Sequence, residues 1–120
     1  MRWLIVVAHG SRREGSNDEV RALTGRIGEL SLEQFDRVTC AFLELAEPSI
    51  PDEVENALLQ GAIEVVVMPY FLSAGRHVVT DIPEEVAKTT RRYPEANVRI
   101  ARYLGSSDLL PSILLGLAGR

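Results

Sequence analysis

This chain has two histidines, His9 and His77, and each stands beyond an apolar run. His9 closes Trp3-Leu4-Ile5-Val6-Val7-Ala8. His77 follows Val65-Val66-Val67-Met68-Pro69 across a loop that holds Ser73, Gly75 and Arg76. Glu44 ends another apolar segment, Phe35 to Leu43. Imidazole and carboxylate together suit borderline divalent metals such as Co²⁺, Ni²⁺, Fe²⁺ or Zn²⁺. They also suit proton transfer near neutral pH. Arg12 and Arg13 flank His9, and Arg76 precedes His77, so an acidic chain is locally basic around both histidines. Guanidinium forks match carboxylates, which favours a polyanionic ligand. Ser11, Ser73 and Gly75 offer hydroxyl and backbone N–H donors.

Each of these residues also has a plainer reading. A lone histidine after a strand often serves structure or simply faces solvent, and an exposed arginine is often only solvated. Glu47 rivals Glu44 three residues on, although Glu44 is nearer the strand end. Tyr70, Phe71 and Leu72 could wall a flat apolar ligand or fill the core. Cys40, among apolar neighbours, reads as a buried thiol. The loop Gly10-Ser11-Arg12-Arg13-Glu14-Gly15 is a poor match to any nucleotide-binding glycine motif.

What joins the candidates is the order of elements that carries them. The run Trp3–Ala8 suits a central parallel strand covered on both faces. A helix is expected from Ser16 or Asn17, with Val20, Leu23, Ile27 and Leu30 on one face. Phe35–Leu43 reads as the second strand. Ser49-Ile50-Pro51-Asp52 starts the next helix, with Val54, Ala57 and Leu58 as its stripe and Gly61 as its stop. The β-branched run at 65–67 is a third strand, ended by Pro69. Asp81-Ile82-Pro83-Glu84 reads as a helix start, with Asp81 as N-cap and Glu84 completing a capping box. That helix, from about Ile82, buries Val86 and Ala87 and stops before Pro94. Asn97–Ala101 is a fourth short strand. The last helix starts over Gly105–Asp108 and carries Leu109, Leu110, Ile113, Leu114 and Leu117, more apolar than one sheet face requires. This suggests either a dimer surface or a deeply buried helix.

The order βαβαβαβα predicts an α/β fold, a three-layer sandwich with a four-stranded parallel sheet and right-handed crossovers. In a parallel sheet all strand C-termini lie on one side, and ligands bind at that edge. His9, Glu44 and His77 are therefore expected to meet at one rim.

Composition narrows the function. The 120 residues fit a single domain with a real core, and 46% hydrophobic with 25% charged residues is ordinary for a globular protein. A net charge of −4 argues against nucleic acid as the main partner. No apolar run approaches the ~20 residues of a membrane helix, and nothing resembles a signal segment. One cysteine excludes an internal disulfide and fits a reducing, cytoplasmic setting.

Three blocks carry a resemblance across most of the chain. They are Val6-Val7-Ala8-His9-Gly10-Ser11-Arg12, then Ala41-Phe42-Leu43-Glu44 with Pro48 following, then the long stretch from Pro69 through His77 to Pro83. Together they resemble the sirohydrochlorin cobaltochelatase and ferrochelatase family, the CbiX/SirB class II chelatases, in its short single-domain form. The resemblance implies insertion of Co²⁺, Fe²⁺ or Ni²⁺ into sirohydrochlorin, on routes to cobalamin, siroheme or a nickel cofactor. The metal is substrate, and no organic cofactor is implied. The family's metal-binding histidines fall on His9 and His77, and its acidic partner on Glu44. The many carboxylates of sirohydrochlorin suit Arg12, Arg13 and Arg76. Longer members carry two copies of this unit around a cleft, so the short form implies a homodimer.

Two other readings compete. Histidine phosphatases also begin with strand-His-Gly, but there an arginine precedes the nucleophilic histidine, and here Ala8 occupies that position. A non-catalytic carrier of metal or tetrapyrrole would keep the ligands without turnover; retention of Glu44 favours catalysis, because simple imidazole binding does not demand a base.

Overall fold

In the computed structural model, which describes residues 1–31 and 33–119, four parallel strands form one sheet in the order β2-β1-β3-β4. The strands are β1 (Arg2–Ala8), β2 (Arg37–Phe42), β3 (Glu64–Pro69) and β4 (Val98–Ile100). The helices are α1 (Glu14–Leu30), α2 (Ile50–Leu59), α3 (Ile82–Thr90) and α4 (Leu110–Ala118). The expected α/β architecture is therefore present. β1 lies at the centre, with Ala8 level with Phe42 and Val7 level with Pro69. That register brings the ends of β1, β2 and β3 to the same rim.

Side chains alternate across β1 because the strand period is two. Trp3, Ile5 and Val7 point to the face covered by α2 and α3, where they pack with Val54, Val67, Ile82 and Val86. This is the main core. A polar chain stiffens it: Trp3 Nε1 donates to Thr39 Oγ1, whose hydroxyl donates to the buried Glu53 carboxylate. Thr89 Oγ1 on α3 donates to the Pro51 carbonyl on α2, 2.9 Å away. The opposite face holds a smaller cluster of Leu4, Phe35 and Val66, with Ile27 of α1 and Met68 beside it.

Helix boundaries follow local chemistry. Ser49 accepts from Asp52 N–H at 3.2 Å, capping α2 as expected. At the other end, Ala62 N–H bonds the Ala57 carbonyl and Gly61 N–H the Leu58 carbonyl. With Gly61 at φ +99° this is a Schellman closure.

Several expectations need correction. α1 begins at Glu14, not at Ser16 or Asn17, because Asn17 is buried and reaches back to clamp the preceding loop. β2 begins at Arg37 rather than Phe35, which belongs to a turn bonded to the Ser31 carbonyl. The fourth strand is shorter than 97–101, spanning Val98–Ile100. A short 3-10 turn occupies Leu104–Ser106, and α4 starts only at Leu110. Leu30, expected on the buried stripe of α1, is 89% exposed. Val20, Leu23 and Ile27 are only partly buried, while Thr24 and Asn17 are the buried residues of that helix. α4 buries no residue, which removes the deeply buried alternative for the last helix. Cys40 is partly exposed rather than buried, although the burial it has pushes its thiol pKa up.

Candidate metal and tetrapyrrole site

His9 leaves the end of β1 through Gly10, whose φ is +93°. A Cβ at Gly10 would sit 1.8 Å from the Glu44 carbonyl oxygen, so only glycine lets the two rims meet. The closeness is stitched by main-chain bonds: Leu43 N–H donates to the Ala8 carbonyl at 2.9 Å and Glu44 N–H to the His9 carbonyl at 3.0 Å. Arg21 of α1 steadies the second rim, donating to the Glu47 carbonyl and lying over the Phe42 ring.

His77 arrives by a different route. It was expected in a loop, with Asp81 capping the next helix. Instead the chain is already helical from His77, in a π-helical turn His77–Asp81 that runs straight into α3. Asp81 has helical φ and ψ and makes no cap hydrogen bond. Its carboxylate turns back one helical turn, to His77 Nδ1 at 2.9 Å and to Arg76 Nε at 3.6 Å. The capping box with Glu84 is therefore absent. The signal that would have revealed this is the four-residue spacing of His77 and Asp81, which makes neighbours only on a continuous helix.

The two imidazoles meet edge to face, with ring centroids 4.8 Å apart. His9 Nδ1 lies 2.8 Å from the Gly10 carbonyl, and His77 Nδ1 faces the Asp81 carboxylate. A carbonyl or carboxylate oxygen can only accept, so in each neutral ring the proton sits on Nδ1. Nε2 is left with its lone pair in both. Glu44 Oε2 stands 3.9 Å from His9 Nε2. Both rings and Glu44 are substantially open to solvent. Phe71 lies beside His77, its ring centroid 6.1 Å away. Among the described residues, no three His, Cys, Asp or Glu side chains stand close enough to form a ready-made metal cage.

The remaining candidates divide. Ser11 is consumed by its own loop: its N–H donates to Asn17 Oδ1, its carbonyl accepts from Asn17 Nδ2, and its hydroxyl accepts from Arg13 N–H. Arg13 reaches Ser16, while Arg12 is exposed. Ser73 and Gly75 are exposed, and the Gly75 carbonyl receives the N–H groups of Val78 and Val79. The rim is not uniformly basic. A small cleft of about 200 Å³ lies between Glu44 and Asp81, with Glu84 and Glu85 on its wall. Asn17 and Asp81 are the residues that sequence reasoning missed as parts of the site's framework.

The C-terminal rim of this α/β sheet thus brings together two imidazoles, with their Nε2 lone pairs free, and a carboxylate. The sequence model of the CbiX family matches residues 3–117, and the chain belongs to that family. It is 38% identical over 111 residues to a chloroplastic sirohydrochlorin ferrochelatase of Arabidopsis thaliana, covering 92% of this chain and 48% of the plant protein. A sirohydrochlorin cobaltochelatase of Sulfolobus acidocaldarius is 29% identical over 114 residues, covering 95% of this chain and 87% of that protein. Among solved structures, the sirohydrochlorin chelatase SirB from Bacillus subtilis subspecies spizizenii, in complex with cobalt, superposes with a TM-score of 0.81 at 30% identity. It covers 92% of this chain and 47% of that one. The chain thus spans about half the length of several relatives and most of the length of others.

Proposed function

We propose that this chain is a chelatase that inserts a divalent metal into sirohydrochlorin or a related tetrapyrrole, with Co²⁺ the first choice and Fe²⁺ or Ni²⁺ the alternatives. The metal is substrate, and the reading calls for no organic cofactor. The observation that carries it is the pair of imidazoles 4.8 Å apart, each with Nδ1 tied and Nε2 free, at the rim of a CbiX-family sheet.

Insertion requires a metal that is held but not trapped, because it must leave for the ring. Two neutral imidazoles provide that, and a closed cage would not. Two pyrrole N–H protons must depart as the metal enters. Glu44, 3.9 Å from His9 Nε2, is positioned to take one, and an imidazole vacated by the metal can take the other. The carboxylates of the tetrapyrrole would find Arg12 and Arg76, both exposed beside the site, with Arg13 close by. Ser73 and Gly75 lie on the loop that would border the ring. A homodimer belongs to this reading, since one copy offers one wall of a cleft. So does a cytoplasmic setting, supported by the single unpaired cysteine.

The test is anaerobic mixing of the protein with sirohydrochlorin and Co²⁺, Fe²⁺ or Ni²⁺, followed by the tetrapyrrole absorption spectrum. Insertion well above the no-enzyme rate, lost in the His9→Ala/His77→Ala double variant, is expected. Uncatalysed rates with all three metals would overturn the proposal. Tight tetrapyrrole binding without turnover would make the chain a carrier.

A further inference from the structure

Glu44 is followed by a residue that does not hold its shape unaided. Leu45 has φ +66°, in the left-handed region that residues with side chains seldom adopt, and it is 52% exposed. Such a conformation persists only where its surroundings enforce it. An exposed leucine cannot enforce it by its own packing. The loop from Leu43 to Pro48 is closed at its base, where Phe42 N–H donates to the Pro48 carbonyl at 2.9 Å. Its outer limb is gripped from α1.

The grip is a seam of polar side chains. Glu14, Asn17 and Arg21 stand at i, i+3 and i+7, one face of the helix. At one end Asn17, 1% exposed, accepts from Ser11 N–H at 3.0 Å and donates to the Ser11 carbonyl at 2.8 Å. This ties down the backbone two residues after His9. Asn17 Nδ2 also donates to Glu14 Oε2 at 3.3 Å. The other Glu14 oxygen accepts from Arg21, which Asp18 holds as well at 2.9 Å. At the far end the Arg21 guanidinium donates to the Glu47 carbonyl at 3.4 Å and lies 5.2 Å from the centroid of the Phe42 ring. The seam therefore runs unbroken from the His9 loop to the Glu44 loop. The main-chain bonds between these loops join Ala8 to Leu43 and His9 to Glu44. The seam reaches past them to Glu47, on the other side of the strained Leu45.

We propose that Glu14, Asn17 and Arg21 are positioning residues, which hold the Glu44 loop against the His9 loop and so set the placement from which Glu44 takes a pyrrole proton. This rests on the chelatase reading and deepens it, because it gives α1 a part in proton removal. It also separates two tasks. Arg21 acts on the limb that carries the base, whereas metal capture belongs to the two imidazoles.

The test compares wild type with Arg21→Met, which keeps the length of the side chain and removes its donors, with Arg21→Lys, and with Arg26→Met, an exposed arginine on the same helix. In Arg21→Met, kcat for Co²⁺ insertion into sirohydrochlorin should fall about 10–100-fold, with KM for the tetrapyrrole within about two-fold of wild type. Arg21→Lys should recover part of the loss, and Arg26→Met should show none. Asn17→Asp, which loses the donors to Ser11 and Glu14, should repeat the loss. In a Glu44→Gln background, Arg21→Met should cost no further activity, because both act through one group. Co²⁺ binding to the protein alone, measured by calorimetry, should be unchanged in Arg21→Met. A wild-type kcat in Arg21→Met or Asn17→Asp, an equal loss with and without Glu44, or Co²⁺ binding weakened in step with kcat would each overturn the assignment. Amide hydrogen exchange gives a readout that needs no catalysis. Exchange at Leu43 and Glu44 should quicken in Arg21→Met and keep its wild-type rate in Arg26→Met; unchanged exchange in Arg21→Met would overturn the seam. Quickened exchange in a protein that inserts no metal would sink the chelatase reading and leave the coupling of the two loops standing.

Discussion

Ile5 and Leu4 are neighbours on one strand, yet the faces they pack on are unequally covered. Ile5 points into the face closed by α2 and α3, among Val54, Val67 and Ile82. Leu4 points to the other face, where it is buried with Phe35 and Val66 yet borders an open apolar groove flanked by Leu23 and Ile27 of α1. Trp3–Ala8 of β1 are apolar on both sides, so the strand is written for burial on both sides. The closed face supplies the rigidity that holds the histidine rim, since Asp81 and His77 lead directly into α3. The other face keeps an open apolar groove beside α1. One sheet thus has one fully packed face and one that is only partly covered.

Several substitutions would break or sharpen that contrast. Ile5→Ala is expected to cost about 2–5 kcal/mol in urea unfolding, as a fully buried branched side chain in a packed core should. Leu4→Ala should cost less, because side chains beside the open groove can relax into the space it leaves; an equal cost would erase the difference between the faces. Next, Asp81→Ala frees the His77 ring and should lower Co²⁺ affinity and insertion rate about 10–100-fold, as loss of a carboxylate behind a ligating histidine does. Asp81→Asn, which keeps an acceptor, should fall between the two, with the melting temperature nearly unchanged in both. If the melting temperature falls in step with activity, Asp81 serves the helix rather than the histidine. A smaller loss, about 1 kcal/mol, is expected for Thr89→Val, which removes the hydroxyl joining α3 to the Pro51 carbonyl of α2. Leu30→Gln on exposed α1 should change stability by no more than about 0.5 kcal/mol.

The ionic contacts at the sheet's far end offer a pH check on the same footing. Arg2 and Arg99 hold the Glu64 carboxyl below its ordinary range, chiefly through the Arg2 hydrogen bond. A lowered folded-state pKa adds stability above the unfolded value, and that stability drains as pH falls through the folded one. Glu64→Gln should therefore flatten the acid limb of the stability profile, measured by thermal melting between about pH 5 and 3.

Much of this protein was determined by its sequence. Apolar runs of strand length alternating with helical stripes specify a parallel sheet, because no other arrangement buries both faces of Trp3–Ala8. Parallel strands share one C-terminal edge, so His9, Glu44 and His77 belong to one rim; the strand order β2-β1-β3 makes them neighbours there. Other features were decided only in three dimensions. Asp81 looked like a cap because an aspartate before Ile-Pro-Glu usually is one. It became a partner of His77 because the chain entered the helix one turn early. Asn17 is a loop clamp because the path of the Ser11 loop brings that residue's N–H and carbonyl within reach of its amide. Whether the leucines of α4 are buried or bare depends on where the Gly105 turn directs the chain. Periodicity shows that a helix has an apolar stripe. Which surface that stripe meets is set by the path of the backbone, and that path is a property of the folded whole.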